Sequence, residues 1–212
     1  MRPITVSVGP LAAASATSIA AAQTITGSGY LTLTSSVVTL DVPRRVIITS
    51  VGDDTGITFT ISGTTFGGTS VFQTIAGSNA STASTTVDFA TVTSILTSDT
   101  TAGNVSAGTS TVAGSDWARL DDWAPNFVSI QTDVSGTVNY TVQTTLDDPN
   151  SATDPVSITN VSWFNSTDSA LVGASAGKQS GITYAPTFIR ILLNSGSGTV
   201  SGTFLQSGGV GL

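Results

Sequence analysis

Apolar and hydroxylated side chains alternate along much of the chain, and this period of two constrains the fold more than any other feature. Leu31-Thr32-Leu33-Thr34 and Ile57-Thr58-Phe59-Thr60-Ile61-Ser62 change polarity at every residue. Successive side chains on an extended strand point to opposite faces, so such segments bury one face and wet the other. Thr suits the wet face because it is polar yet β-branched. Val46-Ile47-Ile48-Thr49-Ser50-Val51 is instead a nearly continuous β-branched run, the pattern of a central strand covered on both faces. It is expected to form a hairpin with 57–63 across Gly52-Asp53-Asp54-Thr55-Gly56. Further short runs at 71–75, 86–89, 92–96 and 105–112 are separated by loops rich in Gly, Ser, Asn and Thr. No segment carries a long helical period, so the chain reads as a sandwich or barrel rather than as βαβ units.

Composition narrows the chemistry. The 212 residues include no His, no Cys and no Glu. General acid–base work near neutral pH falls mostly to His, or to a carboxylate or Lys with a displaced pKa, and here only Asp and the single Lys178 remain. Zinc sites built from Cys and His, thiol nucleophiles and disulfides are excluded. Net charge is −7, carried by scattered Asp, against six Lys and Arg of which only Arg44 and Arg45 adjoin. Nucleic acid is therefore not an expected partner, since a phosphate backbone needs clustered cations. The Arg44-Arg45 pair reads as a charged strand start after Pro43.

The pattern divides the chain into an extended N-terminal arm, 1–22, and two tandem β-sandwich units, 23–114 and 115–212. The topology of each, immunoglobulin-like or jelly-roll, stays open because both read as short alternating strands. The arm begins Met1-Arg2 and ends Ser18-Ile19-Ala20-Ala21-Ala22. Its apolar stretch is interrupted by Ser7, Gly9, Pro10, Ser15 and Thr17, which argues against a signal peptide, and no run of about 20 strongly apolar residues spans a membrane. A short Ala-rich helical turn is expected there. Being uncharged, the stretch from Pro3 to Leu40 is suited to laying strands along a neighbour's sheet edge.

The boundary at Ser115 is a composition shift. Aromatic and charged residues concentrate in Asp116-Trp117-Ala118-Arg119-Leu120-Asp121-Asp122-Trp123, and Trp117 and Trp123 are the candidate interface. Segments 127–131 and 138–143 flank Ser135-Gly136 and read as a second hairpin. Trp117, Trp123, Trp163 and Tyr184 are alternatively a sugar-stacking platform, although large aromatics more often fill a core or an interface.

Other motifs have plain readings. Asp53-Asp54, Asp121-Asp122 and Asp147-Asp148 evoke paired catalytic carboxylates or a Ca²⁺ loop. Sequence neighbours on an extended segment point to opposite faces, however, and Asp is a preferred turn residue. The Gly-rich stretches 63–68 and 194–198 lack the Lys and the following helix of a phosphate cradle, and read as hairpin turns. No catalytic residue, cofactor site or metal site is assigned.

The series Gly136-Thr137-Val138-Asn139-Tyr140-Thr141-Val142-Gln143, Asp147-Asp148-Pro149, Val161-Ser162-Trp163-Phe164, Ala185-Pro186-Thr187-Phe188-Ile189-Arg190 and 198–206 resembles small β-sandwich structural proteins of tailed bacteriophages, which often end in a Gly-rich tail like Ser207-Gly208-Gly209. It covers the second unit; the first matches only in style. The resemblance implies a non-enzymatic virion component, foremost a capsid decoration or cement protein bound to the major capsid protein. It would be a homo-oligomer on the particle, without nucleic-acid or membrane partners. A tail, adaptor or head-fibre protein has the same composition. A secreted adhesin or a carbohydrate-binding module are the readings outside the virion.

Overall fold

The computed structural model describes residues 3–121 and 127–206. It is all-β. In chain order the strands are β1 (Ile4–Val8), β2 (Ser15–Gln23), β3 (Gly29–Tyr30), β4 (Val38–Ser50), β5 (Thr58–Thr64), β6 (Ser70–Ala76), β7 (Thr82–Thr97), β8 (Val105–Gly114), β9 (Ala118–Arg119), β10 (Val128–Ser135), β11 (Val138–Thr145), β12 (Phe164–Asn165), β13 (Lys178–Ile182), β14 (Phe188–Gly196) and β15 (Thr199–Gln206). Among the described residues helix is confined to single 3-10 turns at Ile158–Asn160 and Ser169–Leu171, and no helix is long and apolar enough to cross a membrane. Two compact units divide the chain, one of Met1–Leu11 with Val112–Leu212, the other of Ala12–Thr111.

In the unit of Ala12–Thr111, strands β8, β4, β7, β5 and β6 are successive neighbours in one sheet, with β2 on β8 and β3 on β7, and the pairs from β4 to β6 are antiparallel. β4 is an interior strand whose Val46 and Ile48 are fully buried. The expected hairpin between β4 and β5 is not formed, because β7 lies between them. At 16 residues β7 is long enough to pair with β4 through its first half and with β5 through its second, which no local turn signal announces. The hairpin is β5–β6 instead. It closes where the Thr65 amide donates to the Thr69 carbonyl, and Gly68 takes the positive φ of +76° that the turn needs.

The Ala-rich stretch expected as a helical turn is strand β2, which buries Ile19 and Ala20. Small side chains explain the choice. Ala20 lies opposite Ala107, and a Cβ on Gly108 would sit 1.8 Å from the Ser15 carbonyl oxygen, so the two backbones approach where larger residues would hold them apart. Within the 3–40 stretch, β1 pairs with β15, β2 with β8 and β3 with β7 of the same chain.

The other unit holds two sheets. One has the order β1-β15-β10-β13; in the other, β12, β11 and β14 are neighbours, with β9 and residues Ala113 and Gly114 also on β14. The expected hairpin across Ser135-Gly136 is not formed, since β10 belongs to the first sheet and β11 to the second. The chain between β14 and β15 makes the same passage in reverse. β10 pairs with β15, and β11 with β14, so the four strands form one two-stranded ribbon folded over at two corners. The corners touch where the Gly198 amide donates to the Thr137 carbonyl at 2.9 Å, and Gly136 and Gly196 supply φ values of +82° and +111°. Folding the ribbon brings apolar faces together. Tyr140 and Ile191 come from one sheet, Phe204 and Ile130 from the other, and a Cβ on Gly202 would lie 2.6 Å from Ile191 Cδ1.

Candidate functional site

The chemistry-bearing side chains of the Val112–Leu212 region gather on the β9-β14-β11-β12 ladder. Arg119 pairs with Phe188, Arg190 with Gln143, and Gln143 with Asn165, so cross-strand register and the period of two place all five on one face. Their contacts run along it. The Arg119 guanidinium lies 5.3 Å from the Phe188 ring centre, and Arg190 Nε and Nη2 donate to Gln143 Oε1 at 3.0 and 2.9 Å. Gln143 Nε2 in turn donates to Asn165 Oδ1 at 3.0 Å.

Two tryptophans cover this row. Trp163 stacks on the Arg190 guanidinium at 4.1 Å, and Trp117 meets Trp163 edge-on at 4.9 Å and 74° and Phe188 at 5.7 Å and 65°. Edge-to-face contacts put the positive ring rim against the negative face, and a guanidinium over indole gains from the same quadrupole. Both tryptophans stay half-exposed, whereas Arg190 is 4% exposed beneath them. The loop after β11 is fastened to the row by Arg119, which donates to Asp148 at 2.7 Å. The Asn150 amide first, and then the Arg119 guanidinium, outweigh desolvation and hold the Asp148 carboxyl below the usual carboxylate range.

Its carboxylate, Asp148, is held in the charged form by those donors. Arg190 covers one face of Trp163, and Trp117 stands edge-on to it. Tyr184 is not part of the row: its hydroxyl is paired with Thr144 Oγ1 at 2.9 Å, and Thr144 pairs with Phe164 on the opposite face. Trp123, named with Trp117 as a candidate interface, lies outside the described residues. On the Thr144 face, Leu146 and Phe164 are 70% and 67% exposed. Phe164 lies opposite Thr144 in β12 and Leu146 follows the last residue of β11, so the end of this sheet offers bare apolar surface.

The acidic pairs are engaged locally. Asp53 accepts from the Thr55 amide and hydroxyl, which lower its pKa, and Asp147 accepts from the Ser162 amide at 2.7 Å. Asp54 is buried and accepts from the Ala102 amide at 2.7 Å. Of the third pair, Asp122 lies outside the described residues. Among the described residues no group of three or more His, Cys, Asp or Glu is placed to hold a metal ion.

Two residues escaped the sequence reading. Arg44 is not a charged strand start but the largest fully buried side chain, mid-strand in β4, where its guanidinium donates to Asp41, to the Ala12 carbonyl at 3.2 Å and to the Ser110 carbonyl. Arg190 escaped too. The signal available was a lone cation inside the apolar run Phe188-Ile189-Arg190-Ile191-Leu192-Leu193, a place no solvated charge would occupy. No protein-family model and no curated protein sequence matches the chain.

Proposed function

We propose that the chain is a non-enzymatic structural protein of a tailed-phage particle, a capsid decoration or cement protein that binds the major capsid protein, with its two units serving as β-sandwich modules. The observation that carries this reading is the sheet end at β12. A guanidinium–aromatic row stiffens one face there, and Leu146 and Phe164 stand bare on the other. A rigid scaffold presenting exposed apolar side chains is what lattice attachment requires, because little ordering entropy is lost on binding.

The rest of the surface supports the same role. Exposed sheet faces are dressed with cross-strand hydroxyl pairs, Thr49 with Thr82 at 3.2 Å and Thr60 with Thr74 at 2.8 Å, in place of charges. Such surfaces stay wetted without depending on pH or salt. A tail, adaptor or head-fibre position draws the same support.

Cryo-electron microscopy of purified particles tests the proposal. Density for this chain capping the shell in many copies is the expected result, with Leu146 and Phe164 facing the shell. Density only at the portal, tail or fibres moves the role to adaptor or attachment. Particles that lack the chain altogether would overturn the virion reading and bring the secreted adhesin forward.

A further inference from the structure

Strand β6 ends its sheet, and it is built unlike the other sheet edges. β13 carries Lys178, β12, β3 and β9 are two residues long, β1 is framed by Pro3 and Pro10, and the pairing of β2 is broken by register shifts. Charge, shortness, proline and bulges are the usual ways of blunting an edge. β6, Ser70-Val71-Phe72-Gln73-Thr74-Ile75-Ala76, has none of them, and its pairing with β5 runs over seven residues without a bulge.

The phase of its free hydrogen-bonding groups can be read off the ladder. The Thr65 amide donates to Thr69 at one end of the hairpin and the Gly77 amide to Ile57 at the other, in the same register as Phe59↔Ile75 and Ile61↔Gln73. Bonds to β5 therefore fall on the odd-numbered residues. Ser70, Phe72, Thr74 and Ala76 turn their N–H and C=O groups outward, and no backbone partner for them occurs among the described residues. Their side chains share one exposed face on which Phe72 is 67% exposed.

Charge selects the occupant. No Asp, Lys or Arg occurs from Thr55 to Val87, although the chain as a whole carries −7. Two copies approaching through most surfaces repel each other; through this hairpin they do not. We propose that β6 pairs antiparallel with β6 of a second copy about a two-fold axis through Gln73. This register joins outward-facing residues only, Ser70 to Ala76 and Phe72 to Thr74, and it engages all four on both strands. It also sets each Phe72 across from a β-branched partner, with the second Phe72 on the diagonal. Gln73 stays free of the pairing: its backbone faces β5, and its side-chain oxygen accepts from the Thr86 and Val87 amides inside β7 at 2.9 and 3.1 Å. The association is isologous and closes at two copies. It stands apart from the virion reading and needs no particle.

Sedimentation velocity of the full chain over a wide concentration range is the test, with amide-resolved hydrogen exchange beside it. The expected result is a reversible dimer, with the Ser70, Phe72, Thr74 and Ala76 amides gaining protection as concentration rises. Phe72→Lys sets two cations near the axis and Thr74→Pro removes an outward donor that β5 does not use; each is expected to weaken the dimer at least about tenfold. Thr74→Ser keeps it. A wild-type chain that sediments as a monomer throughout, or that dimerises with no gain of protection in these amides, overturns the proposal. So does a dimer that persists in both folded variants.

Discussion

Arg44 and Asp41 hold each other across three residues of a single strand: Arg44 Nη1 donates to both carboxylate oxygens of Asp41 at 3.0 Å, with Arg44 only 1% exposed. The β4–β7 register slips between Thr39 and Arg44, and the extra residues on β4 let Asp41 turn back onto the guanidinium. Ala12 closes the ring, its amide donating to Asp41 at 2.7 Å while its carbonyl accepts from Arg44. One ion pair, its guanidinium buried and its carboxylate 31% exposed, thus fixes both the bulge and the start of this unit's chain.

Asp41→Asn leaves the buried guanidinium without a counter-charge. Breaking one side of such a pair costs about 3 kcal/mol. Urea unfolding is expected to show that loss as a lower midpoint with little change in slope, and high salt is not expected to restore it.

Acid acts on the same pair. Burial pushes the Asp41 carboxyl up, but the Ala12 amide and the Arg44 guanidinium together outweigh it and leave the pKa below its ordinary 3.8. Asp53, Asp148 and Asp168 are lowered as well, Asp168 by the Ser180 hydroxyl and the Ala170 amide. A folded-state pKa below the unfolded one contributes stability that is present above the unfolded value and lost as pH falls through the folded value. With no His or Glu in the chain, the urea midpoint is expected to stay level from about pH 5 to 8 and to fall below about pH 4. Asp41→Asn is expected to make that acid fall shallower.

Arg190→Lys keeps the charge but loses both the planar stack on Trp163 and the two-pronged donation to Gln143 Oε1. About 1–2 kcal/mol of stability is expected to go with them. Tryptophan fluorescence should shift to longer wavelength as the cover over the row loosens, a change that a cost confined to the unfolded state would not produce.

Tyr140→Phe removes a hydroxyl paired with Thr132 Oγ1 at 2.6 Å and with the Ala176 carbonyl at 3.0 Å. Leaving buried partners unpaired is expected to cost about 1–2 kcal/mol in calorimetry. The double variant Tyr140→Phe/Thr132→Val is expected to lose more still, because Thr132 Oγ1 also accepts from the Lys178 amide at 3.0 Å and that donor is then stranded.

Gly63→Ala tests a close approach rather than a turn. A Cβ there would lie 1.9 Å from the Thr91 carbonyl oxygen, at the point where the β5–β7 register shifts. Backbone must move to admit it, at an expected cost of about 2 kcal/mol. Gly67→Ala, in the adjoining hairpin with open space around it, serves as the control that loses far less.

Many strand-forming segments were legible from the sequence through a period of two that is complete within six or seven residues, although Leu31–Thr34 alternates without forming a strand and the Ala-rich β2 forms one without alternating. Ile57–Ser62 shows it most directly, with Phe59 and Ile61 buried, whereas the continuous run at Val46–Ser50, expected to be covered on both faces, buries Val46 and Ile48 and leaves Ile47 and Thr49 partly exposed. Turn chemistry was legible only in part: Gly67-Gly68 closes a hairpin as composition suggests, whereas Ser135-Gly136, with equally good turn residues, is a corner between sheets. A Gly-containing turn permits either outcome, and the choice is made by which distant strand lies alongside. β15 claims β10 and β14 claims β11, contacts between residues 43 to 78 positions apart in sequence. The guanidinium–aromatic row and the Arg44–Asp41 ring were hidden for the same reason. Their members come from strands far apart in the chain, and a cation is buried only once carbonyls and a carboxylate from those strands have converged to solvate it. Local alternation therefore determined that this chain is all-β and which faces are apolar. Pairing partners, sheet membership and the placement of every buried charge were decided by tertiary structure, because each is a non-local contact whose energy depends on what the rest of the chain brings to meet it.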